Sequence, residues 1–376
     1  MRVGLNLEQL VQDGVSGIAT YTAELARHLP QHGWEVTAFT ARHPRAQVDA
    51  ALEAAGLTGL DPVRLPLPRP ALYDAWHTVG TADPLRRIAP VDLVHAPSVA
   101  VPPVRDVPLV VTAHDAAPVT FPETYSRRGR WFHERGFAAT AKRARLVIAV
   151  SEFSADELAT HTPIRRDRIR VVPNGVHLAR ADADEIARAR SAVGLRDRPY
   201  VLWVGTLQPR KNVGMLVDAF ERAVADGVPH TLVLVGAPGW SGGGAEGGDA
   251  SRVTPSDAVV VTGPVAPPAL SGLYAGADLL AFPSLHEGFG LPALEAMAQG
   301  TAVLASDIPA LREVAGGAAR FVAPTDVDGW HRAFVELLGD AATRESMGAS
   351  GLAHAQQYSW DTCAARTAAV YQEALG

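Results

Sequence analysis

Short apolar segments alternate with longer segments of helical spacing along most of the chain. The apolar segments are rich in valine and leucine and lack polar alternation, which is typical of parallel strands covered on both faces. Helices are predicted between them, for example at 21–29, 153–161, 213–225 and 310–315. Strands are predicted at 36–39, 93–95, 109–113, 146–150, 169–172, 200–204, 231–235, 258–262, 278–282, 301–305 and 319–322.

The series of strands is interrupted once, by the polar, alanine-rich segment 179–198. We interpret this segment as the junction of two doubly wound domains, at 1–178 and 195–356. A final helix, at about 357–376, is predicted to pack back on the first domain. Ligands of such sheets bind at the carboxyl ends of the strands, so the expected site is a cleft between the domains.

Composition limits the partners and the cellular location that we expect for the protein. The chain has 376 residues, 47% of them hydrophobic, and a net charge of −6, so a nucleic-acid partner is not expected. Its single cysteine, Cys363, allows no internal disulfide and no multi-cysteine metal site, which fits a reducing cytoplasm. Residues 1–7 resemble a first strand more than a signal peptide, and no apolar run reaches the roughly 18 residues of a membrane span. We expect a cytoplasmic protein, at most peripheral on the inner face of the membrane.

The most informative motif is Glu-Gly-Phe-Gly-Leu-Pro-Ala-Leu-Glu at 287–295, directly after a predicted strand. Proline suits a first helical turn, so a helix is predicted to open at Pro292 and to direct its first amides at an anion. Glu287 and Glu295 would repel a phosphate, but they can accept hydrogen bonds from hydroxyl groups. The motif therefore predicts a nucleotide-sugar site. The alternative is a surface glutamate and a helix-start glutamate that the helix dipole favours.

Basic residues follow the first strand of the second domain, in Gly-Thr-Leu-Gln-Pro-Arg-Lys-Asn at 205–212. Arg210 and Lys211 are thus predicted at the carboxyl end of a strand, where they can neutralise a diphosphate. A solvated basic turn is the alternative.

In the first domain, His114 ends a predicted strand and is expected to contact substrate, unless it is a capping histidine satisfied by its neighbours. The turn Gly-Val-Ser-Gly at 14–17 opens the first helix, and its small residues allow close approach of a ligand or simply a tight turn. The glycine-rich run 241–249 lacks the lysine of a phosphate loop and is interpreted as a mobile connection.

Two further segments of the first domain leave alternatives open. Residues 125–145 are basic with interleaved aromatic residues, which fits a helix with a solvated basic face or a peripheral contact with anionic lipid. Residues 64–76 are rich in proline and aromatic residues and fit an acceptor groove or an ordinary packed loop.

As an ordered set, the motifs at 14–17, 112–115, 150–154, 172–176, 205–212, 235–236 and 287–295 resemble the retaining nucleotide-sugar glycosyltransferases of family 4, also called glycosyl transferases group 1. The resemblance covers nearly the whole chain. It implies the GT-B fold, an α/β architecture of two doubly wound Rossmann-like domains that face each other across a cleft.

The resemblance also implies roles. Arg210 and Lys211 would hold the diphosphate, Glu287 and His114 would contact the sugar, with His114 near its 6-hydroxyl, and Glu295 would bind the ribose hydroxyls. Gly17 would lie near the donor phosphate or the acceptor. The implied catalytic group is thus His114, Arg210, Lys211 and Glu287, and no metal or other cofactor is expected. The implied donor-binding residues are Gly17, Gly205, Gly236, Val265, Gly288, Phe289, Gly290, Leu291 and Glu295.

The sequence departs from the family pattern at Ser16, where many members have glycine, and at Thr206, where many have arginine. Its motifs look most like those of bacterial mannosyltransferases that use GDP-mannose. The alternatives are a UDP-sugar-dependent glycosyltransferase, a nucleotide-sugar 2-epimerase of the same architecture, and a sugar-nucleotide binding protein without activity. The expected acceptor is a glycan, a lipid or a small molecule.

Overall fold

The chain folds into two α/β units, each built on its own parallel sheet. The structure is a computed structural model that describes residues 1–11, 16–195, 198–237 and 256–376, so Gly14 and the run 241–249 lie outside the described residues. The first unit comprises Met1–Pro122, Arg127–Gly175 and Trp360–Gly376, and the second comprises Glu123–Ser126 and Val176–Ser359. The domain limits inferred from the sequence, 1–178 and 195–356, stay predictions.

The first unit is built on a seven-stranded parallel sheet with the strand order β3-β2-β1-β4-β5-β6-β7. Its strands are β1 (Arg2–Asn6), β2 (Glu35–Thr40), β3 (Val63–Arg64), β4 (Leu93–Ala96), β5 (Leu109–Thr112), β6 (Leu146–Ala149) and β7 (Ile169–Val171). The helices between them are α1 (Gly17–His28), α2 (Arg45–Ala54), α3 (Arg69–Asp74), α4 (Ala117–Thr120), α5 (Arg127–Arg143) and α6 (Glu152–His161).

The second unit repeats this plan with a six-stranded parallel sheet in the order β10-β9-β8-β11-β12-β13. Its strands are β8 (Tyr200–Val204), β9 (Thr231–Val235), β10 (Val259–Gly263), β11 (Leu279–Phe282), β12 (Val303–Ser306) and β13 (Arg320–Val322). Its helices are α7 (Ala183–Ala192), α8 (Val213–Ala225), α9 (Pro267–Ala275), α10 (Leu291–Gln299), α11 (Pro309–Ala315), α12 (Val327–Gly339) and α13 (Ala341–Ala355).

In both sheets the strand order reverses direction after the first strands, which is the pattern of a doubly wound fold. The central strands are buried on both faces because helices cover each side, and this is why their sequences lack polar alternation. The predicted fold class, two Rossmann-like α/β domains of the GT-B type, is confirmed.

The last helix, α14 (Trp360–Leu375), belongs to the first unit and packs against α1. Its fully buried Tyr371 lies with Oη 2.6 Å from Nδ1 of His95 on β4. On the outer side of the helix, Glu373 forms an ion pair with Arg170 of β7. The helix is therefore an integral layer of the first domain.

The polar segment 179–198 contains a helix that the sequence pattern did not predict. The helix α7 starts with a capping box, in which Asp182 and Glu185 satisfy each other's backbone amides, and it packs against α9. Ala189 is its one buried residue, so its apolar face is too narrow to give a helical periodicity. None of the described helices is both long and apolar enough to cross a membrane.

The contact between α13 and α10 makes a testable prediction about packing. A Cβ at Gly348 of α13 would collide with the carbonyl oxygen of Gly300, which caps the C-terminus of α10. Alanine favours a helix interior by about 1 kcal/mol, but the clash is with rigid backbone. We expect Gly348→Ala to lower the free energy of unfolding by about 1–3 kcal/mol in urea denaturation.

Gly339→Ala is the matched control, since an added Cβ at the end of α12 meets no atom within 4 Å. Equal stability of the two variants would contradict the assigned contact.

Candidate active site

The two motifs predicted from the second domain meet where its sheet order reverses. The strands β8 and β11 are hydrogen-bonded neighbours, and the chain leaves them in opposite directions around the sheet. Such a switch point leaves a crevice at the carboxyl ends of the strands. The segment after β8 lies against the segment after β11, because the backbone N–H of Leu285 donates to the carbonyl oxygen of Arg210 at 2.9 Å.

Asn212 joins these segments, although no local sequence pattern marks it as a site residue. It adopts the left-handed conformation, with φ 57°, between the turn and α8. Its side-chain amide donates to the carbonyl oxygens of Pro283, at 3.2 Å, and Pro324, at 2.7 Å. Asparagine suits this position because it tolerates positive φ and carries two amide donors.

Arg210, Lys211 and Glu287 form an ion cluster at the switch point. The Lys211 Nζ lies 2.5 Å from Oε1 of Glu287, and the Arg210 Nη1 lies 3.6 Å from Oε2. The Arg210 Nη1 also donates to the carbonyl oxygen of His286 at 2.5 Å. All three side chains are largely buried, with 10–14% of each exposed. The motifs 205–212 and 287–295 thus share one site.

The carboxylate of Glu287 is held in its charged form. Burial alone would raise its pKa, but the charges of Lys211 and Arg210 and the hydrogen bond from Lys211 outweigh burial and lower the pKa below its usual value. The ammonium of Lys211 also lies 5.6 Å from the centre of the Phe282 ring, a cation–π contact. Glu287 is therefore ionised at neutral pH.

The glycine loop beside Glu287 leads directly into α10. Gly290 caps this helix with φ 105°, and a Cβ there would collide with the Leu311 side chain, so only glycine fits. The helix begins at Leu291, one residue earlier than predicted, with Pro292 in its first turn. Phe289 is buried against Tyr358, with ring centroids 6.1 Å apart. The amides at this helix start are suited to bind an anion.

Glu295 lies one turn into α10 and is half-buried. Its Oε2 accepts a hydrogen bond from the hydroxyl of Tyr274 in α9, at 2.7 Å. Burial raises the pKa of Glu295, although the Tyr274 hydrogen bond and the charge of His177 partly offset this. Tyr274 was missed in the sequence because nothing local marks a contact between two separate helices.

The carboxyl ends of β8, β9 and β10 lie beside one another at the same edge of the second sheet. The N–H of Gly205 donates to the Val235 carbonyl and that of Gly236 to the Gly263 carbonyl, both at 3.0 Å. Gly236 has φ 150°, and a Cβ there would collide with the Gly205 carbonyl oxygen. The strand ends are thus packed too closely for any larger residue. Val265 lies half-buried in the loop from β10 to α9.

His114 follows β5 in the first unit and is half-buried. Its Nε2 lies 2.9 Å from the carbonyl oxygen of Pro97, which can only accept, so Nε2 carries the proton. Burial lowers the pKa of the imidazole, while the Pro97 hydrogen bond and Asp115 partly counteract this. The ring is therefore neutral at pH 7 and presents Nδ1 as an acceptor. It packs edge-on against Tyr21, at 5.1 Å between centroids.

Gly17, the other predicted site residue of the first unit, is the exposed first residue of α1. The preceding Ser16 caps the helix, with its hydroxyl accepting from the Ala19 amide at 3.2 Å. Serine is a preferred N-cap, so the departure from the family's glycine has a local structural reason.

Comparison with known proteins identifies the family. The sequence matches Glycosyltransferase Family 4 over residues 15–180 and Glycosyl transferases group 1 over residues 198–340. The O-antigen chain mannosyltransferase B of Escherichia coli is 32% identical over an alignment that covers 70% of each chain. The chain belongs to the family 4 glycosyltransferases.

A further relative agrees with this assignment, and two solved structures share the fold. A D-inositol 3-phosphate glycosyltransferase of Kribbella flavida is 30% identical to this glycosyltransferase, over 99% of this chain and 95% of its own. The sucrose-phosphate synthase structure of Thermosynechococcus elongatus has 22% identity and a TM-score of 0.76, with 99% and 98% coverage. The Anabaena protein HepE, solved with UDP-glucose, has 19% identity and a TM-score of 0.72, with 99% of each chain covered.

The basic segment of the glycosyltransferase forms α5 with its flanks, and its aromatic residues are engaged within the protein. Phe137 is buried, and Phe132 stacks on Tyr73 at 5.4 Å between ring centroids. Tyr73 and the fully buried Trp76 belong to the segment 64–76. These contacts favour a solvated basic face for 125–145 and a packed loop for the aromatic part of 64–76.

The described residues contain no group of three or more His, Cys, Asp or Glu arranged to hold a metal. Metal-independent transfer stays a prediction.

The ion cluster predicts a specific response to Glu287→Gln. The change removes the carboxylate that pairs with both of these largely buried cations, so we expect the free energy of unfolding to fall by about 3 kcal/mol at pH 7. The matched control is Glu287→Gln combined with Lys211→Met, which removes one of the two cations as well. It should cost less than the sum of the single changes in urea denaturation, whereas additive losses would contradict the pairing.

The stability difference between the wild type and Glu287→Gln should depend on pH. Because the pKa of Glu287 is lower in the folded than in the unfolded chain, its stabilisation is complete above the unfolded value of about 4.3. It is lost as the pH falls through the folded value. The stability difference between the wild type and Glu287→Gln should therefore shrink below about pH 4.

Proposed function

We propose that this glycosyltransferase moves a hexose from a nucleotide-sugar donor to an acceptor hydroxyl with retention of anomeric configuration, and that it needs no metal or other cofactor. The observation that carries the proposal is the ion cluster of Arg210, Lys211 and Glu287 beside the glycine loop at the start of α10. Cations, backbone amides and a charged carboxylate at one switch point suit a phosphate bonded to a sugar.

The diphosphate of the donor is proposed to bind between the cations and the start of α10. Arg210 and Lys211 bring two positive charges to this place, and Glu287 lies against both. The helix start adds its aligned amides and the positive end of its dipole. Together they offer fixed positive potential to an anion, in surroundings that are already largely dehydrated.

The hydroxyl groups of the donor are proposed to meet acceptor atoms. Glu287 is oriented by Lys211, and its remaining lone pairs suit a sugar hydroxyl. Glu295 suits the ribose hydroxyls. The neutral His114, with its proton on Nε2, suits a hydroxyl donor such as the sugar 6-hydroxyl through Nδ1. Glu287 and His114 thus have the protonation states that the proposed contacts need.

In the proposed reaction, the bond between the anomeric carbon and the diphosphate oxygen breaks, and the acceptor oxygen bonds to the same face of that carbon. Positive charge develops on the sugar ring and negative charge on the leaving oxygen. Arg210, Lys211 and the start of α10 would stabilise the leaving oxygen by preorganised electrostatics. The leaving phosphate accepts the proton of the acceptor hydroxyl, so no separate base is required.

GDP-mannose is the proposed donor, and the similarity to the Escherichia coli mannosyltransferase supports it. UDP-glucose is the second candidate, which the likeness to HepE solved with UDP-glucose favours. The reported relatives are named as transferases, which supports transfer rather than 2-epimerisation.

The proposed acceptor is a glycan, a lipid or a small molecule, since the relatives' names refer to an O-antigen chain and to D-inositol 3-phosphate. A cytoplasmic location is part of the proposal.

A donor screen with a lysine variant tests the proposed site. Thermal stabilisation and slow hydrolysis are measured with GDP-mannose, UDP-glucose and UDP-N-acetylglucosamine. We expect one nucleotide to stabilise the wild type selectively, and Lys211→Ala to lower turnover of that donor by about 100- to 1,000-fold. The control is Lys142→Ala, which removes the other lysine of the sequence, exposed on α5. Near-normal turnover by Lys211→Ala would contradict the proposed role of Lys211 in stabilising the leaving phosphate.

The stereochemistry is tested separately once a product is in hand. Retention predicts that the anomeric carbon–proton coupling constant in the NMR spectrum of the product matches that of the donor sugar. A coupling constant of the opposite anomer would exclude the same-face mechanism.

A further inference from the structure

Tyr274 carries an inference about how the donor is selected. It is the eighth residue of α9 and is almost fully buried, and α9 packs against α10. Its backbone is fixed as well, because the Thr301 hydroxyl donates to its carbonyl oxygen at 2.5 Å. The phenol oxygen is therefore held at one point, 2.7 Å from Oε2 of Glu295.

The direction of this hydrogen bond follows from the chemistry of both groups. An ionised carboxylate can only accept, and burial together with the charge of Glu295 raises the pKa of Tyr274, so the phenol keeps its proton. Tyr274 thus donates to Oε2 and orients the plane of the carboxylate. Within the described ranges, this is the only hydrogen bond to Glu295, and Oε1 stays available as an acceptor.

The contact also favours the ionised form of Glu295. Burial raises the pKa of this carboxyl, and the Tyr274 hydrogen bond opposes that shift. An ionised, oriented carboxylate can accept from two adjacent hydroxyl groups at once, as the 2′ and 3′ hydroxyls of a ribose present them. A protonated or rotated carboxyl loses that ability.

We propose that Tyr274 is a positioning residue for Glu295, and that this pair selects donors with a ribonucleoside over those with a 2′-deoxyribonucleoside. The inference rests on the proposed function, because it needs a nucleotide donor bound with its ribose at Glu295. It goes beyond that function by assigning the discrimination to a residue that does not itself touch the donor.

The test compares the binding of GDP with that of 2′-deoxy-GDP, and of UDP with that of 2′-deoxy-UDP, by titration calorimetry between pH 5 and 8. The wild type should prefer the ribonucleotide at least about tenfold, since each hydroxyl donates to a charged acceptor. Tyr274→Phe should reduce the preference to below about threefold, because the carboxylate is no longer held in one orientation.

The pH dependence of this preference separates positioning from a general loosening of the fold. Loss of the Tyr274 hydrogen bond raises the pKa of Glu295, so any remaining preference should disappear at a higher pH in the variant than in the wild type. Protonation of the phosphates affects both members of each nucleotide pair alike and cancels in the ratio.

Tyr200→Phe is the matched control. Tyr200 is also buried in the second unit, and its hydroxyl donates to the carbonyl oxygen of Leu273, the residue before Tyr274. The variant therefore loses a comparable hydrogen bond beside Tyr274 without touching Glu295. Its preference for the ribonucleotide should equal that of the wild type.

The other outcomes distinguish failure of the inference from failure of the proposed function. An unchanged preference in Tyr274→Phe, an equal loss in Tyr200→Phe, or a wild type without any preference overturns the inference and leaves the proposed donor class standing. A wild type that binds neither GDP nor UDP overturns the proposed function together with the inference.

Discussion

Two cations lie side by side at the carboxyl end of one parallel sheet, and the Glu287 carboxylate makes this arrangement stable. Without it, Arg210 and Lys211 would repel each other in surroundings where water screens them poorly. Glu287 thus holds the two cations together at the place where the donor phosphate is proposed to bind. The same three side chains thus keep the unliganded site folded and leave it receptive to a ligand.

Backbone geometry holds these charges in place. The Asn212 side chain connects the turn after β8 to two other loops by hydrogen bonds. Gly236, at the end of β9, has no side chain and so allows close backbone contact with Gly205, at the end of β8. Gly290 allows the chain to turn sharply from Glu287 into α10. Each of these residues performs a task that few other side chains could, and none of them carries a formal charge. The chemistry of the site depends on them as much as on the ion cluster.

Much of this architecture was predictable because it depends on local patterns. The strands β8 and β9 have the predicted limits, since uninterrupted apolar runs are the direct result of burial on both faces. The strand β3 was missed because two residues are too few for any periodicity, and α7 because it buries only Ala189. Arg210, Lys211 and Glu287 were each predicted as site residues. Their mutual pairing across 76 positions, and the contact of Tyr274 with Glu295, depend on packing that no local pattern encodes.

The helix α14 has a consequence for the order in which the chain acquires its structure. Domains generally fold as units during synthesis, beginning with the N-terminal one. Here the buried His95 lacks its partner Tyr371 until the second unit, which lies between them in the sequence, has been made. The strands of the first sheet are made before the second unit, yet the helix that covers them is made after it. The second sheet, although it comes later in the sequence, has all its strands and helices available before α14. The domain that is begun first is thus the one that is completed last.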